Sequence, residues 1–367
     1  MQDQADNKFL CRALDLARQG IGLASPNPCV GAVLVDQREE IVGEGFHTYA
    51  GVKHAEIIAL ELAGERAKNA ILYINLEPCS HHGRTGPCAE ALINAGVSRV
   101  VACMQDPNPA VAGNGFQRLR DAGIDVTVGM REAEAKLLNE AFAKYIRSGR
   151  PLITLKSAMS LDGLIAPEAV SRQHYLTGEA ARAHVQELRH QSDAILIGIG
   201  TALADDPRLT DRTGLPRRRP LLRVVLDSFL RLKADSRLVK TARHDVVVFY
   251  SSDNERQEDK LRSHGVCLEK IPSTEGLLDI PAVIDKLSSF QITSLLVEGG
   301  SRVNAAFLSN GVVDKAFLYY APKILGAGVP FIAREPRSNT LAPLNSVRFH
   351  QFGDDFAVEG YLRDPYA

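Results

Sequence analysis

The 367-residue chain contains no tryptophan, no long apolar run and no marked excess of charge of either sign. Without about 20 consecutive apolar residues it has no candidate membrane-spanning helix. A net charge of -1, with no basic tail, argues against a dedicated nucleic-acid binder. The densest basic run, residues 217–219, lies between two prolines and is predicted to be a solvated loop. We therefore expect small-molecule partners, with no nucleic acid and no membrane.

The segment after Met1 is polar and acidic and has no signal-peptide pattern. The six cysteines are irregularly spaced, which does not indicate a disulfide framework. Both observations predict a cytoplasmic protein. Nothing in the sequence fixes the oligomeric state, although we expect a homo-oligomer.

Length and composition favour two soluble domains, because 367 residues exceed one ordinary domain and 45% of them are hydrophobic. Strand and helix patterns alternate in both halves, which predicts an α/β fold with partly parallel sheets. The polar break Arg147-Ser-Gly-Arg-Pro151 marks the boundary, so we predict domains at 1–148 and 149–367. In the first domain we expect helices at 6–19, 55–63 and 87–95, and strands at 29–35, 41–46 and 70–76.

One stretch carries recognisable metal chemistry: His54-Ala-Glu56, then a predicted strand, then Pro78-Cys79 and Pro87-Cys88. One histidine and two cysteines can bind zinc and leave a fourth position for water, with Glu56 beside that water as a proton shuttle. This arrangement suits hydrolytic removal of an amino group from a nucleobase-like ring. Eight residues separate the cysteines, where zinc deaminases generally have two. That insertion contains His81 and His82, which are alternative ligands, but Cys88 alone occupies the predicted helix start.

Three stretches stand out in the second half, at residues 155–163, 197–212 and 297–304. In the last of them a strand enters Gly299-Gly300 and then a helix, which suits either a phosphate site or an ordinary tight turn. No G-x-G-x-x-G is present, so a Rossmann dinucleotide site is disfavoured.

These motifs together resemble the bifunctional riboflavin-biosynthesis deaminase/reductase family. The deaminase half is matched by Asn27-Pro28-x-Val30-Gly31, Gly45-Phe46-His47, His54-Ala-Glu56 and the long cysteine spacing, and the reductase half by the three later stretches. The resemblance implies a cytidine-deaminase-like three-layer domain followed by a dihydrofolate-reductase-like domain that uses NADPH. It also implies that His54, Cys79 and Cys88 bind one zinc ion, and that Asn27 and His47 contact the pyrimidine. Asn27 equally suits a turn between prolines.

For the reductase half, the resemblance implies a set of NADPH contacts and a set of contacts to the phosphoribosyl substrate. The cofactor set is Ala158, Tyr175, Thr201, Asp205, Ser228, Gly300, Ser301, Arg302, Val303, Asn304, Ala305 and Ala306. The substrate set is Arg189, Leu209, Arg212 and Glu298.

Several of these residues have ordinary alternatives. Arg189 and Arg212 could be surface charges, although a guanidinium suits a phosphate. Lys156 and Asp162 could orient substrate or form a strand-end pair. The family has a small polar residue and a tryptophan where we align Gln173 and Tyr175.

The expected function is zinc-dependent deamination of 2,5-diamino-6-(5-phosphoribosylamino)pyrimidin-4-one, followed by NADPH-dependent reduction of the ribosyl chain to ribityl. One alternative is a nucleoside or tRNA-base deaminase with an unrelated fused domain. Another is a non-catalytic zinc protein, which the open fourth metal position disfavours. The residues alone do not distinguish NADPH from NADH.

Overall fold

The computed structural model describes residues 2–49, 53–80, 86–168, 175–333 and 343–367. They form two compact units. Unit 1 comprises Met1–Gly149, Pro216–Arg219 and Tyr366, and unit 2 comprises Arg150–Leu215, Pro220–Pro365 and Ala367. All six cysteines are free thiols.

Unit 1 alternates helices and short strands. In chain order these are α1 Gln2–Arg18, β1 Gly31–Val35, β2 Ile41–Phe46, α2 Ala55–Ala63, β3 Ile71–Ile74, α3 Cys88–Asn94, β4 Arg99–Ala102, α4 Asn114–Asp121, β5 Asp125–Val128 and α5 Glu132–Ser148.

The sheet of unit 1 has the strand order β2-β1-β3-β4-β5. β1 pairs antiparallel with both β2 and β3, whereas β3, β4 and β5 run parallel. Every residue of β1 is buried, so both faces of the sheet are covered at this strand. A side chain at Gly43 in β2 would come within 2.1 Å of the Ala59 carbonyl oxygen. Glycine therefore lets α2 pack directly on β2.

Unit 2 is larger and has a longer sheet. Its elements are β6 Leu152–Ser160, β7 Leu164–Pro167, α6 Glu179–Gln191, β8 Ala194–Gly198, α7 Ile199–Asp205, β9 Leu222–Leu226, α8 Arg237–Lys240, β10 Val246–Tyr250, α9 Glu255–Arg262, β11 Val266–Lys270, β12 Ser273–Thr274, β13 Leu277–Leu278, α10 Ile280–Ser289, β14 Ser294–Val297, α11 Ser301–Ser309, β15 Lys315–Ala321, β16 Gly328–Pro330, β17 Asn345–Phe352 and β18 Asp355–Tyr361.

The main sheet of unit 2 has the order β11-β10-β9-β8-β14-β6-β15-β18-β17. Strands from β11 to β15 run parallel, and β18 and β17 complete the sheet in antiparallel fashion. The carboxyl ends of the parallel strands therefore lie at one edge, where ligands of open α/β sheets bind. β8 leads into α7 and β14 leads into α11 at this edge.

The six elements predicted for the first domain agree with α1, β1, β2, α2, β3 and α3 to within four residues at either end. The sequence did not predict the short helices α7 and α8, the edge strand β11 or the short pairs β7–β16 and β12–β13. Such short segments carry too few residues for a clear periodicity. No helix in the described part of the chain combines the length and apolar character needed to cross a bilayer.

Candidate functional site

The three predicted zinc ligands converge in unit 1. The Nδ1 atom of His54 lies 3.2 Å from Sγ of Cys88 and 3.6 Å from Sγ of Cys79. All three donor atoms lie within 4.8 Å of one another. Two sulfurs and one imidazole nitrogen fit a catalytic zinc ion with an open fourth position. These three side chains are called the zinc-ligand cluster below.

Helix starts place two of the ligands. His54 is the N-cap of α2 with extended backbone, and Cys88 is the first residue of α3. The positive ends of both helices therefore point toward the cluster and stabilise thiolate and other anions. Cys79 follows β3 and receives a hydrogen bond from the backbone N–H of Cys88, at 3.3 Å from its Sγ.

Neighbouring groups shift the protonation of the cluster. A hydrogen bond from the Cys88 side chain, with a further contribution from His54, lowers the pKa of Cys79 to about 4. The contact with Cys79 raises the pKa of His54. Glu56 is 3% exposed, and its burial raises its pKa to about 7. A carboxyl group with that pKa can both accept and donate a proton near neutrality.

The predicted pyrimidine contacts form a bonded pair beside this cluster. Nδ1 of the buried His47 donates to the Lys53 carbonyl oxygen at 2.9 Å, which leaves Nε2 to accept from Nδ2 of Asn27 at 2.9 Å. Burial lowers the pKa of His47, in agreement with a neutral ring. The His47 and His54 rings meet edge to face with centroids 5.3 Å apart. Asn27 therefore lies in a turn and is also hydrogen-bonded to His47 beside the zinc-ligand cluster.

Two buried amides that sequence reasoning missed hold the backbone next to Asn27. Asn139 donates to the Cys29 carbonyl oxygen at 3.1 Å and accepts from the Cys29 N–H at 2.8 Å. Asn75 donates to the same carbonyl at 2.9 Å and accepts from the Gly31 N–H at 2.9 Å. Asn75 interrupts an otherwise apolar strand end, and this was the only sequence signal for it.

In unit 2 the predicted cofactor contacts fall at the carboxyl edge of the sheet. Gly300 caps α11, Thr201 lies in α7, and Ser228 follows β9. Within the described residues, two buried polar atoms near the start of α11 have no hydrogen-bond partner, Oγ of Ser301 and Oδ1 of Asn304. Unpaired polar atoms beside a helix N-terminus fit a ligand that carries phosphates and hydroxyls.

The other predicted cofactor contacts occupy varied positions. Ala158 lies on β6. The last residue of β14, Val297, pairs with Leu155, so Ala158 lies three residues beyond the end of that pairing. Asp205 ends α7, and burial raises its pKa. Tyr175 is 62% exposed, with the Arg182 guanidinium 4.8 Å from its ring centroid. Arg302, Val303, Ala305 and Ala306 belong to α11.

Two predicted substrate contacts form an ion pair. Arg189 binds Glu298 in bidentate fashion, with Nε–Oε1 at 2.7 Å and Nη2–Oε2 at 3.0 Å. Lys156 Nζ lies 3.5 Å from the second carboxylate oxygen. Burial alone would raise the pKa of Glu298, but the charges of Lys156 and Arg189 lower it to about 2. We call these three residues the Glu298 cluster.

The loop after α7 is tied to α6. Arg189 on α6 donates to the Thr210 carbonyl oxygen at 3.2 Å, and the exposed Arg212 reaches Gln186 at 3.4 Å. Leu209, the residue before Thr210, is buried and has a positive φ of 53°. Asp162 accepts the backbone N–H groups of Leu325 and Gly326, so it holds a loop. His81, His82 and Gln173 lie outside the described residues.

Comparison with known proteins identifies relatives of both halves. Residues 3–104 match the cytidine and deoxycytidylate deaminase zinc-binding region, and residues 151–358 match the RibD C-terminal domain. The riboflavin biosynthesis protein RibD of Escherichia coli K12 is 43% identical over 357 residues, which cover 94% of this chain and 95% of that protein.

Two solved structures are similar over nearly their whole length. RibD of Acinetobacter baumannii superposes with a TM-score of 0.84 at 35% identity, covering 98% of this chain and 99% of that chain. A Thermotoga maritima protein described as a diaminohydroxyphosphoribosylaminopyrimidine deaminase/5-amino-6-(5-phosphoribosylamino)uracil reductase gives a TM-score of 0.83 with the same identity and coverage.

Proposed function

This chain belongs to the RibD family of riboflavin biosynthesis proteins, and from that premise we propose which of its residues carry the two reactions. It is a bifunctional enzyme of riboflavin biosynthesis, with a cytidine-deaminase-like zinc domain and a dihydrofolate-reductase-like, NADPH-dependent reductase domain. The match of residues 151–358 to the RibD reductase domain removes the alternative of an unrelated fused domain.

The proposed deaminase substrate is 2,5-diamino-6-(5-phosphoribosylamino)pyrimidin-4-one. His54, Cys79 and Cys88 would hold a zinc ion, which would supply the Lewis acidity needed to activate a water molecule beside the amine-bearing ring carbon. Glu56 takes the proton from the attacking water and returns it to the departing amine. The neutral Asn27–His47 pair orients the pyrimidine. The His47 ring is held in place by two hydrogen bonds of 2.9 Å, one with Asn27 and one to the Lys53 carbonyl oxygen. The convergence of three donor atoms beside the buried Glu56 is the observation that supports this most directly.

For the reductase we propose that the carboxyl edge of the unit 2 sheet holds NADPH, which would supply the hydride for reduction of the ribosyl chain. The cofactor contacts are those named above, from Ala158 to the start of α11. The Glu298 cluster and the loop from Leu209 to Arg212 hold the phosphoribosyl group. Lys156 joins this set because its ammonium group lies 3.5 Å from the Glu298 carboxylate. No side chain needs to form a covalent bond, since positioning the sugar against the nicotinamide is the main requirement.

We further propose a deaminase domain at 1–148 and a reductase domain at 149–367. A cytoplasmic location is supported by the six free thiols, which persist in reducing compartments. A homo-oligomer remains a prediction.

One incubation tests both halves. The phosphoribosylated diaminopyrimidinone is added to zinc-loaded protein, first without and then with NADPH. We expect stoichiometric ammonia release without NADPH, followed by NADPH oxidation when the cofactor is added. Absence of ammonia release would refute the deaminase assignment, and absence of oxidation after ammonia release would refute the reductase assignment.

A further inference from the structure

A buried carboxylate next to the zinc-ligand cluster is not explained by the reaction. Glu77 is 5% exposed and lies two residues before Cys79. It accepts four backbone N–H groups, which come from both ends of one loop and from the first turn of α4. The donors are Asp106 at 3.0 Å and Gly113 at 2.9 Å to Oε2, and Gly115 at 2.8 Å and Phe116 at 3.3 Å to Oε1.

The same helix start packs against the peptide that joins Glu77 to Cys79. A side chain at Gly115 would come within 2.0 Å of the Pro78 carbonyl oxygen. Only glycine permits this approach, and the hydrogen bond from the Gly115 N–H to Glu77 holds it in place. One side of the segment 77–79 is thus fixed to α4.

The other side of Cys79 is fixed to the second cysteine segment. Its carbonyl oxygen accepts from the Ala89 N–H at 3.1 Å, and its sulfur accepts from the Cys88 N–H at 3.3 Å. The sulfur position therefore depends on a short backbone segment held between two helix starts. Glu77 supplies the bonds on the α4 side without belonging to the ligand set.

We propose that Glu77 is a positioning residue that sets the place of the Cys79 sulfur for zinc binding. The inference rests on the zinc assignment made above. Zinc–sulfur bonds are close to 2.3 Å, with a tolerance of about 0.2 Å, so a small shift of this segment weakens the metal site. Outer residues that orient ligands typically change metal affinity about 10- to 100-fold when mutated.

The informative variant is Glu77→Gln in the full-length protein. A glutamine side chain has one acceptor oxygen and one NH2 group, so two of the four backbone N–H groups lose their acceptor and face a donor. We expect the zinc dissociation constant, measured by competition with a chelator, to rise about 10- to 100-fold. The thiolate-to-metal absorption of the cobalt-substituted protein should also shift, while reductase turnover stays unchanged.

A matched control is Asp6→Asn in α1 of the same unit. Asp6 is 1% exposed and accepts hydrogen bonds from Tyr73 at 2.8 Å and from Arg99 at 3.1 and 2.8 Å. Asp6→Asn should lower the thermal midpoint of unit 1. It should leave the zinc dissociation constant within about threefold of wild type, because the bonds of Asp6 go to Tyr73 and Arg99 and not to the segment that carries Cys79.

The outcomes of these measurements separate the possibilities. Unchanged zinc affinity in Glu77→Gln, or an equal loss in Asp6→Asn, would overturn the positioning role. If Glu77→Gln does not fold, Glu77→Asp is measured instead. Aspartate is one methylene shorter, so its carboxylate lies farther from the backbone N–H groups and zinc binding should still weaken. Wild-type zinc affinity in Glu77→Asp would again overturn the proposal. Failure of the wild-type protein to bind zinc would refute the zinc assignment itself.

Discussion

The zinc-ligand cluster of unit 1 and the Glu298 cluster of unit 2 balance charge in different ways. The sulfur and nitrogen donors of unit 1 lie within 4.8 Å of one another, and the pKa of Cys79 is lowered to about 4. The carboxylate of Glu298 is instead paired with two cations of the chain, Lys156 and Arg189. A buried thiolate set needs a bound cation to be complete, whereas a buried ion pair does not.

The comparison shows how each unit depends on its ligand. Unit 1 should lose both its chemistry and part of its stability when the metal leaves, since metal binding and folding are coupled. Unit 2 should keep the charges of the Glu298 cluster in position without any added ion. The following experiments test this difference, from the largest expected effect to the smallest.

Removal of zinc should abolish deamination and leave reduction intact. After treatment with a chelator and dialysis, we expect no ammonia release, because the remaining side chains cannot activate water alone. NADPH oxidation with the deaminated intermediate should continue at the original rate. Adding zinc should restore ammonia release. Parallel loss of both activities would contradict the separation of the two sites.

Glu56→Gln should reduce the deamination rate about 10²- to 10⁴-fold, the usual contribution of a positioned acid–base group. Zinc content should stay at one ion per chain, because Glu56 is not a ligand. Glu61→Gln is a matched control on the same helix, where Glu61 is exposed and paired with Lys53. Full deamination in Glu56→Gln with intact zinc would refute its role.

Glu298→Gln should impair reduction by about 10- to 100-fold while deamination is unchanged. Removing the carboxylate leaves the buried cations of Lys156 and Arg189 without a counter-charge. Breaking a buried ion pair in this way typically lowers the free energy of unfolding by about 3–5 kcal/mol. Glu269→Gln on β11 is the control, since Glu269 forms a more exposed pair with Lys286 at 3.0 Å. Equal losses of reductase activity in both variants would refute a role for Glu298 in the reductase site.

The same residue predicts a pH dependence of stability. The pKa of Glu298 is lowered from 4.5 to about 2, so its stabilising contribution is present above pH 4.5 and is lost as the pH falls toward 2. Thermal midpoints of wild type and Glu298→Gln should therefore converge as the pH is lowered through this window. A constant difference between the two proteins from pH 5 to pH 2 would contradict the lowered pKa.

Arg212→Ala should give the smallest effect. Arg212 is exposed, and its hydrogen bond to Gln186 is long at 3.4 Å, so stability should not change. If its guanidinium binds the substrate phosphate, the KM of the reductase should rise up to about tenfold with kcat unchanged. Arg262→Ala on α9 serves as the control. An unchanged KM in Arg212→Ala would remove this residue from the substrate site.

The sequence indicated the zinc-ligand cluster because each of its three residues stands beside a local signal, although 25 and 34 residues separate His54 from the two cysteines. His54 and Cys88 stand at helix starts that were recognisable from periodicity and from Pro87, and Cys79 follows a clear apolar strand. The order of helices and strands then indicated that these ends meet. Membership of the RibD family and the two-domain α/β architecture were likewise implied by motifs in both halves and confirmed by the comparisons.

The bonds between distant segments could not be read from the sequence. Glu77 binds backbone N–H groups that lie 29 to 39 residues later in the chain, and Asn139 binds the backbone of Cys29, 110 residues earlier. Lys156 and Glu298 become neighbours only because β6 and β14 pair in parallel, with Leu155 beside Val297. Short-range patterns of burial and capping therefore determined the elements and the ligand types in this protein. Tertiary pairing decided which buried charges meet, since that depends on strand order and register rather than on local residue preference.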